Sequence, residues 1–407
     1  MKRKLDVLLI WLLVFPVIVF SQQNTINFYN QGTNNCDSVS QSGINNVAEL
    51  NAYCNQNSFY LIQDGTNNFC RNLTGNNFQD AINNVTQVYQ IGINNLIHIF
   101  LRGNNNALTL SQEGSNSADM QIIGNENIIY STQNGEKASD ALVEYGKKGN
   151  LNSIPLTFNM SIIGNTNQAN ISQKGRLNKI VLRISGAWNN SKIIQDGSEL
   201  TLEVYQEISS NLATFRQNGW KNKSYLFQNG TDNSVTFCQA GENNLSSLEQ
   251  LGYHNTISSI QDGYSLVSAV YQSGMNSIFN SSQKGINQNV KSEQSGNYND
   301  ATITIEGESQ SAVTSQYGNS NSLDLYMSGI MCSSEIIQEG DNNSATIFQK
   351  GTENKSVSWQ YGSYLTAIIQ QLGNQNLANS RQYGTGHISV IIQEGNNNTV
   401  DVEQHNN

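Results

Sequence analysis

The chain has 407 residues and a formal charge of −10 at pH 7; only 13% of its residues are charged and 37% are hydrophobic. It holds 62 Asn and 36 Gln, so about a quarter of its side chains are amides, and it has 33 Gly but only 2 Pro. Too little Leu, Ile, Val and Phe is present for an ordinary enzyme of two or three domains built on aliphatic cores. The acidic balance argues against a phosphate-binding surface, which needs clustered Lys and Arg, so nucleic acid is not an expected partner. A disordered Asn/Gln-rich polymer and a repeat protein with a partly amide core remain, and spacing decides between them.

Residues 1–21 read as a signal peptide. Lys2, Arg3 and Lys4 form a basic start, and Val7 to Phe20 is an apolar stretch short for a bilayer span. Val19 and Ser21 stand at the −3 and −1 positions of a cleavage site. A membrane anchor is the alternative for this segment. No Cys follows closely enough to accept a lipid, and removal of the segment takes the formal charge to −12. The expectation is a secreted chain with no integral membrane segment after cleavage.

Residues 22–163 carry an eleven-residue period with interruptions. Gly32, Gly43, Cys54 and Gly65 are in step, with Asn35, Asn46, Asn57 and Asn68 three residues on. From Gly65 to Gly92 the spacing is 27, which implies an insertion near Gly75. Gly124 arrives one residue early, and Lys147 to Pro155 reads as a surface loop, with Pro155 at a strand start or edge. The pattern resumes after each break, so one irregular but continuous solenoid is expected rather than separate domains.

Residues 164–407 are regular. From Gly164 to Gly395 there are 22 slots at eleven-residue spacing, of which 21 are Gly and one is Ile208. Two residues before the slot, 18 of 22 residues are Gln, and three residues after it, 14 of 22 are Asn. A disordered tract does not hold register in this way. With the Gly as position 1, the unit from Gly340 places Asn343, Ala345, Ile347 and Gln349 at positions 4, 6, 8 and 10. Small or aliphatic residues thus alternate with amides at period two, as in a strand with one buried face, while positions 5, 7 and 9 vary freely. Positions 11, 1, 2 and 3 carry turn residues, with Gly at a φ > 0 site, as at Gly164, Gly175, Gly230, Gly285, Gly340 and Gly395.

A strand of about seven residues and a turn of about four cannot bury an inner face alone. Two units folded as strand–turn–strand make a 22-residue coil, and stacking such coils gives an all-β solenoid of about 16 or 17 turns at roughly 4.8 Å per coil. Like residues then lie over like. Stacked amides can donate to the coil above and accept from the coil below, which removes the cost of about 1–3 kcal/mol for a buried unpaired group. The expected ladder residues are Gln173, Gln195, Gln217, Gln239, Gln261, Gln283, Gln316, Gln338, Gln360, Gln382 and Gln393, with Asn178, Asn222, Asn244, Asn299, Asn321, Asn343, Asn376 and Asn398.

The run Gln393-Glu-Gly395-Asn-Asn-Asn398-Thr-Val400 to Gln404 resembles the curlin repeat of curli fibre subunits, and Gln272-Ser-Gly274, Gln316-Tyr-Gly318 and Gln360-Tyr-Gly362 follow it. The resemblance covers roughly residues 24–407. It implies an exported β-solenoid that assembles into extracellular amyloid fibres for biofilm cohesion and adhesion, partnered by itself, by other curlin-type subunits and by outer-membrane export machinery. This chain has more half-repeats, about 33, than such subunits usually have, and no long Gln/Gly-rich segment follows the signal peptide.

Other functions are weaker. Cys36, Cys54, Cys70, Cys238 and Cys332 occupy different repeat slots and form no Cys-x-x-Cys pair, although Cys54 could bridge to Cys36 or Cys70. His98, His254, His387 and His405 are scattered. A calcium-binding nonapeptide solenoid needs a nine-residue period, an ice-binding solenoid a uniform outward array, and a pectin-lyase-like enzyme a cluster of Asp, Arg and Lys in longer coils. No enzyme, cofactor or metal is expected. The repeat runs from just after the signal peptide to Gln404 without recognisable caps, which suggests head-to-tail polymerisation. The alternatives are a nucleator or minor subunit of the same fibre, and a monomeric secreted adhesin or binding module.

Overall fold

The computed structural model describes residues 23–31, 33–53, 55–75, 81–135 and 156–406. The signal-peptide segment, Gly32, Cys54 and the stretch from Lys147 to Pro155 lie outside the described residues. The rest forms 33 strands and no helix, divided into two parallel sheets of 17 and 16 strands. Strands with odd numbers in chain order make one sheet and those with even numbers the other, so each two-strand coil adds one strand to each sheet. The first pairings set the rule: β1 (Thr25–Gln31) lies on β3 (Val47–Tyr53), and β2 (Cys36–Ile44) on β4 (Ser58–Thr66), each shifted by 22 residues.

The register holds through every interruption. Ser58 pairs with Val85, Leu96 with Ser117 and Ile128 with Gln168, so offsets of 27, 21 and 40 residues still bring like slots together. The extra or missing residues are absorbed between strands, because a slip of one residue would turn every inner side chain outward. Inner positions 6 and 8 hold the apolar core, with Leu182, Phe215, Phe237, Phe279, Ile303 and Ile347 buried. The rings of Phe215 and Phe237 lie 5.5 Å apart on consecutive coils of one sheet.

Strands are longer and turns shorter than the seven-plus-four division predicts. Most span nine residues, as in Lys223–Thr231, and include the Gly slot. Two features of the glycine explain this. Its φ is positive, +137° at Gly230, and a Cβ there would lie 1.8 Å from the carbonyl oxygen of Gly252 in the next coil. At the glycine slots this close approach is possible because no side chain intervenes, and Ile208 keeps the same pairing with Gly230 at φ = +75°. The residue two places on turns the chain with a left-handed φ near +55–60°, whatever its type: Asn45, Leu177, Trp188, Met331 and Tyr364 all adopt it.

Candidate functional site

The inner face at position 10 carries two columns of hydrogen-bonded glutamines. On the even sheet the column runs from Gln41 through Gln173, Gln195, Gln217, Gln239 and Gln261 to Gln283. Each Nε2 donates to the Oε1 of the glutamine one coil later, at 3.0 Å for Gln173 to Gln195 and 2.7 Å for Gln195 to Gln217. The second amide hydrogen crosses the core: Gln217 donates to the Thr201 carbonyl at 3.2 Å and Gln261 to that of Leu245 at 3.2 Å. Each Gln therefore joins a coil to its successor and one sheet to the other. The odd-sheet column runs from Gln206 to Gln404 and includes Gln316, Gln338, Gln360 and Gln382.

These columns have a direction, since every link runs from Nε2 to the Oε1 of a residue later in the chain. Their ends differ accordingly. At the internal start of the odd column, where Ile184 precedes in the slot, Gln206 Oε1 accepts the Ser191 hydroxyl at 2.7 Å. At the first described even coil, Gln41 Oε1 is buried with no partner. Ile305 and Met327 interrupt the even column, and Gln349, where it resumes, again has an unpartnered Oε1. The column then continues through Gln371 to Gln393.

Asparagines at position 4 combine side-chain links between coils, such as Asn189 Nδ2 to Asn167 Oδ1 at 3.3 Å and Asn376 Nδ2 to Asn354 Oδ1 at 3.1 Å, with bonds to the backbone. Asn222 Oδ1 accepts the backbone N–H of Asn244 at 3.0 Å, and Asn222 Nδ2 donates to the Gly241 carbonyl at 3.1 Å. Asn178, Asn244, Asn299, Asn321, Asn343 and Asn376 likewise accept a backbone N–H of the following coil. The side chain is one methylene shorter than Gln and stands at the turn, which brings the neighbouring main chain within its reach as well. Asn398, on the last described coil, donates to Asn376 Oδ1 at 3.0 Å. Gln288 and Gln310 stand in Asn slots, and their Oε1 atoms have no partner.

The turn glycines Gly164, Gly175, Gly230, Gly285, Gly340 and Gly395 all have positive φ, and all but Gly395 have another coil's backbone against the Cα. The left-handed position 3 was not singled out from the sequence. Its signal is the run of Asn34, Asn45, Asn67, Asn83, Asn94 and Asn105, a residue type that tolerates this conformation.

Outward positions make shorter columns. Tyr361, Tyr383 and His405 stack face to face at 5.5 and 4.6 Å, and Arg381 pairs with Asp401 at 3.3 Å. Burial, followed by the charge of Glu339, pushes the Tyr361 phenol above its ordinary value. Cys36, Cys70, Cys238 and Cys332 are free thiols; Cys70 is fully buried among apolar residues, which pushes its pKa up. Among the described residues no three His, Cys, Asp or Glu side chains group to hold a metal ion.

Residues 340–373 and 373–405 match the family model of the curlin associated repeat. Residues 340–405 carry curlin repeats. Both matched segments are continuous with the rest of the stack: the strands at 344–352 and 366–374 pair in the register used throughout. No curated protein matches the chain. The repeat family and the β-solenoid are structural in kind, and successive coils are joined by parallel backbone pairing with amide columns beside it.

Proposed function

We propose that this curlin-repeat chain is an exported structural subunit of an extracellular curli-type amyloid fibre, and that copies add end to end by prolonging both sheets and the amide columns. The observation that carries this reading is the complementarity of the two ends. At the C-terminal end, Gln404 Nε2 donates only to the Ile388 carbonyl and keeps one hydrogen. At the N-terminal end, Gln41 Oε1 is an orphan acceptor, and the inner-slot side chains of Ile26 and Phe28 are 43% and 48% exposed. A buried orphan costs about 1–3 kcal/mol, and an uncovered strand edge is a template for another chain.

Joined ends would satisfy the amide and cover the apolar residues in the cross-β manner. Biofilm cohesion and adhesion follow from a fibre at the cell surface, reached through the signal peptide and the export machinery of the outer membrane. Purified exported chain at micromolar concentration is expected to form dye-binding fibrils with a reflection at about 4.7–4.8 Å. A sample that stays a monodisperse monomer for days would instead make the protein a solitary secreted adhesin or binding module.

A further inference from the structure

Resting on the fibre reading, the parity of the stack fixes how one copy meets the next. The 33 described strands leave β1 and β2 as the edges of one end. At the other end the edges are β32 (Ile388–Asn396), which lies on the even sheet, and β33 (Thr399–His405), which lies on the odd. Both half-repeats of a coil share one sequence pattern and one turn conformation, which places each strand about half a coil spacing, roughly 2.4 Å, above the strand before it.

Consider a second copy added with its odd sheet over the odd sheet. If β1 lands on β33, a space one strand deep is left between β32 and β2. If β2 is instead brought down onto β32, β1 falls at the height β33 already holds. Neither arrangement keeps every strand. A copy rotated by half a turn about the stack axis places its β1 on β32 and its β2 on β33 at the regular spacing, with no strand unpaired.

We propose that successive copies of this chain join through such a half-turn, so that each sheet of the fibre alternates between the odd strands of one copy and the even strands of the next. The slots agree with it. Position 10 of β33 is Gln404, and it comes over Gln41, so the free amide hydrogen of the first meets the orphan Oε1 of the second. Position 8 of β32 is Ile391, which comes over the exposed ring of Phe28. On the outer face Ile392, 61% exposed, comes over Tyr29, 50% exposed. The long odd column Gln206–Gln404 thereby runs on into the long even column that begins at Gln41.

A native thiol reads this geometry. Cys36 is exposed at position 5 of β2 and is free. In the half-turn joint Thr399 lies over it, whereas in the unrotated joint that displaces β1, Ile388 lies over it; the Cα separation of about 4.8 Å between paired strands is within the range a disulfide spans. Thr399→Cys and Ile388→Cys variants are assembled from the full exported chain, fibrils are verified by diffraction, and the samples are oxidised and run without reductant.

The expected result is that T399C fibrils run as covalent multimers, that I388C fibrils stay monomeric, and that adding Cys36→Ser abolishes the T399C crosslink. Crosslinking of I388C in place of T399C, or of neither in verified fibrils, overturns the half-turn joint while leaving the fibre reading intact. Absence of any fibril from the unmodified chain overturns both.

Discussion

Ile208 occupies the one regular slot from Gly164 to Gly395 that lacks glycine, and it adopts φ = +75° there. A β-branched residue in that region is strained, and its carbonyl oxygen stands where a Cβ on Gly186 would meet it at 1.8 Å, so both sides of the slot are tightly constrained. Relief of roughly 1–3 kcal/mol of backbone strain is offset by about 0.5–1 kcal/mol of extra unfolded-state entropy on introducing glycine. Ile208→Gly is therefore expected to stabilise the solenoid by about 1 kcal/mol, read as a higher denaturation midpoint with an unchanged slope. Its side chain is 53% exposed, so little apolar burial is lost.

At the scale of strands and columns, the interruption by Ile305 and Met327 is locally consistent, since two apolar side chains replace two amides next to Ile303 and Leu325. Its cost falls on Gln349, whose Oε1 is left buried and unpaired. The double variant Ile305→Gln, Met327→Gln would carry the column from Gln283 to Gln349 unbroken. A gain of about 1–3 kcal/mol is expected from the satisfied acceptor, measured by chemical denaturation, and Met327→Gln alone should gain less because its own Oε1 would face Ile305.

Much of this scale was legible in the sequence, because stacking like on like demands repetition: the eleven-residue spacing gave the coil, and the alternation gave the inner face. The nine-residue strands were not legible, since glycine was read as a turn residue although the ladder runs through it. Nor were the backbone bonds that the asparagines make beside their side-chain links, which depend on the reach of a shorter side chain at the turn. The 40-residue offset between Ile128 and Gln168 was hidden because Gly135 and Gly146 keep the eleven-residue step while the strand pairing does not.

For the whole molecule, stability has to be weighed at the ends as well as along the stack. Asp37 points inward at position 6 of β2, in register with buried Phe59, where an apolar residue would be expected. It accepts a hydrogen bond from Asn30 Nδ2 at 2.9 Å, and burial raises its pKa above 3.8 against the opposing pull of the Phe59 backbone N–H. Because the folded pKa is raised, the carboxylate opposes the native end coil at neutral pH. That penalty is relieved as pH falls through the folded pKa and is fully removed below about 3.9, the unfolded value.

Joining a second copy adds Val400 over the same carboxylate in the half-turn geometry, which desolvates it further and makes growth more pH-dependent than folding. Inward charge at a sheet edge is a known way of restraining edge-to-edge pairing, so on the fibre reading Asp37 is expected to slow addition at neutral pH. Seeded elongation of the exported chain is expected to accelerate several-fold as pH drops from neutral toward 4. Asp37→Asn, which keeps the shape and removes the charge, is expected to elongate fast at neutral pH and to flatten the profile. An unchanged pH profile in that variant would assign the acceleration to the chain's overall negative charge instead.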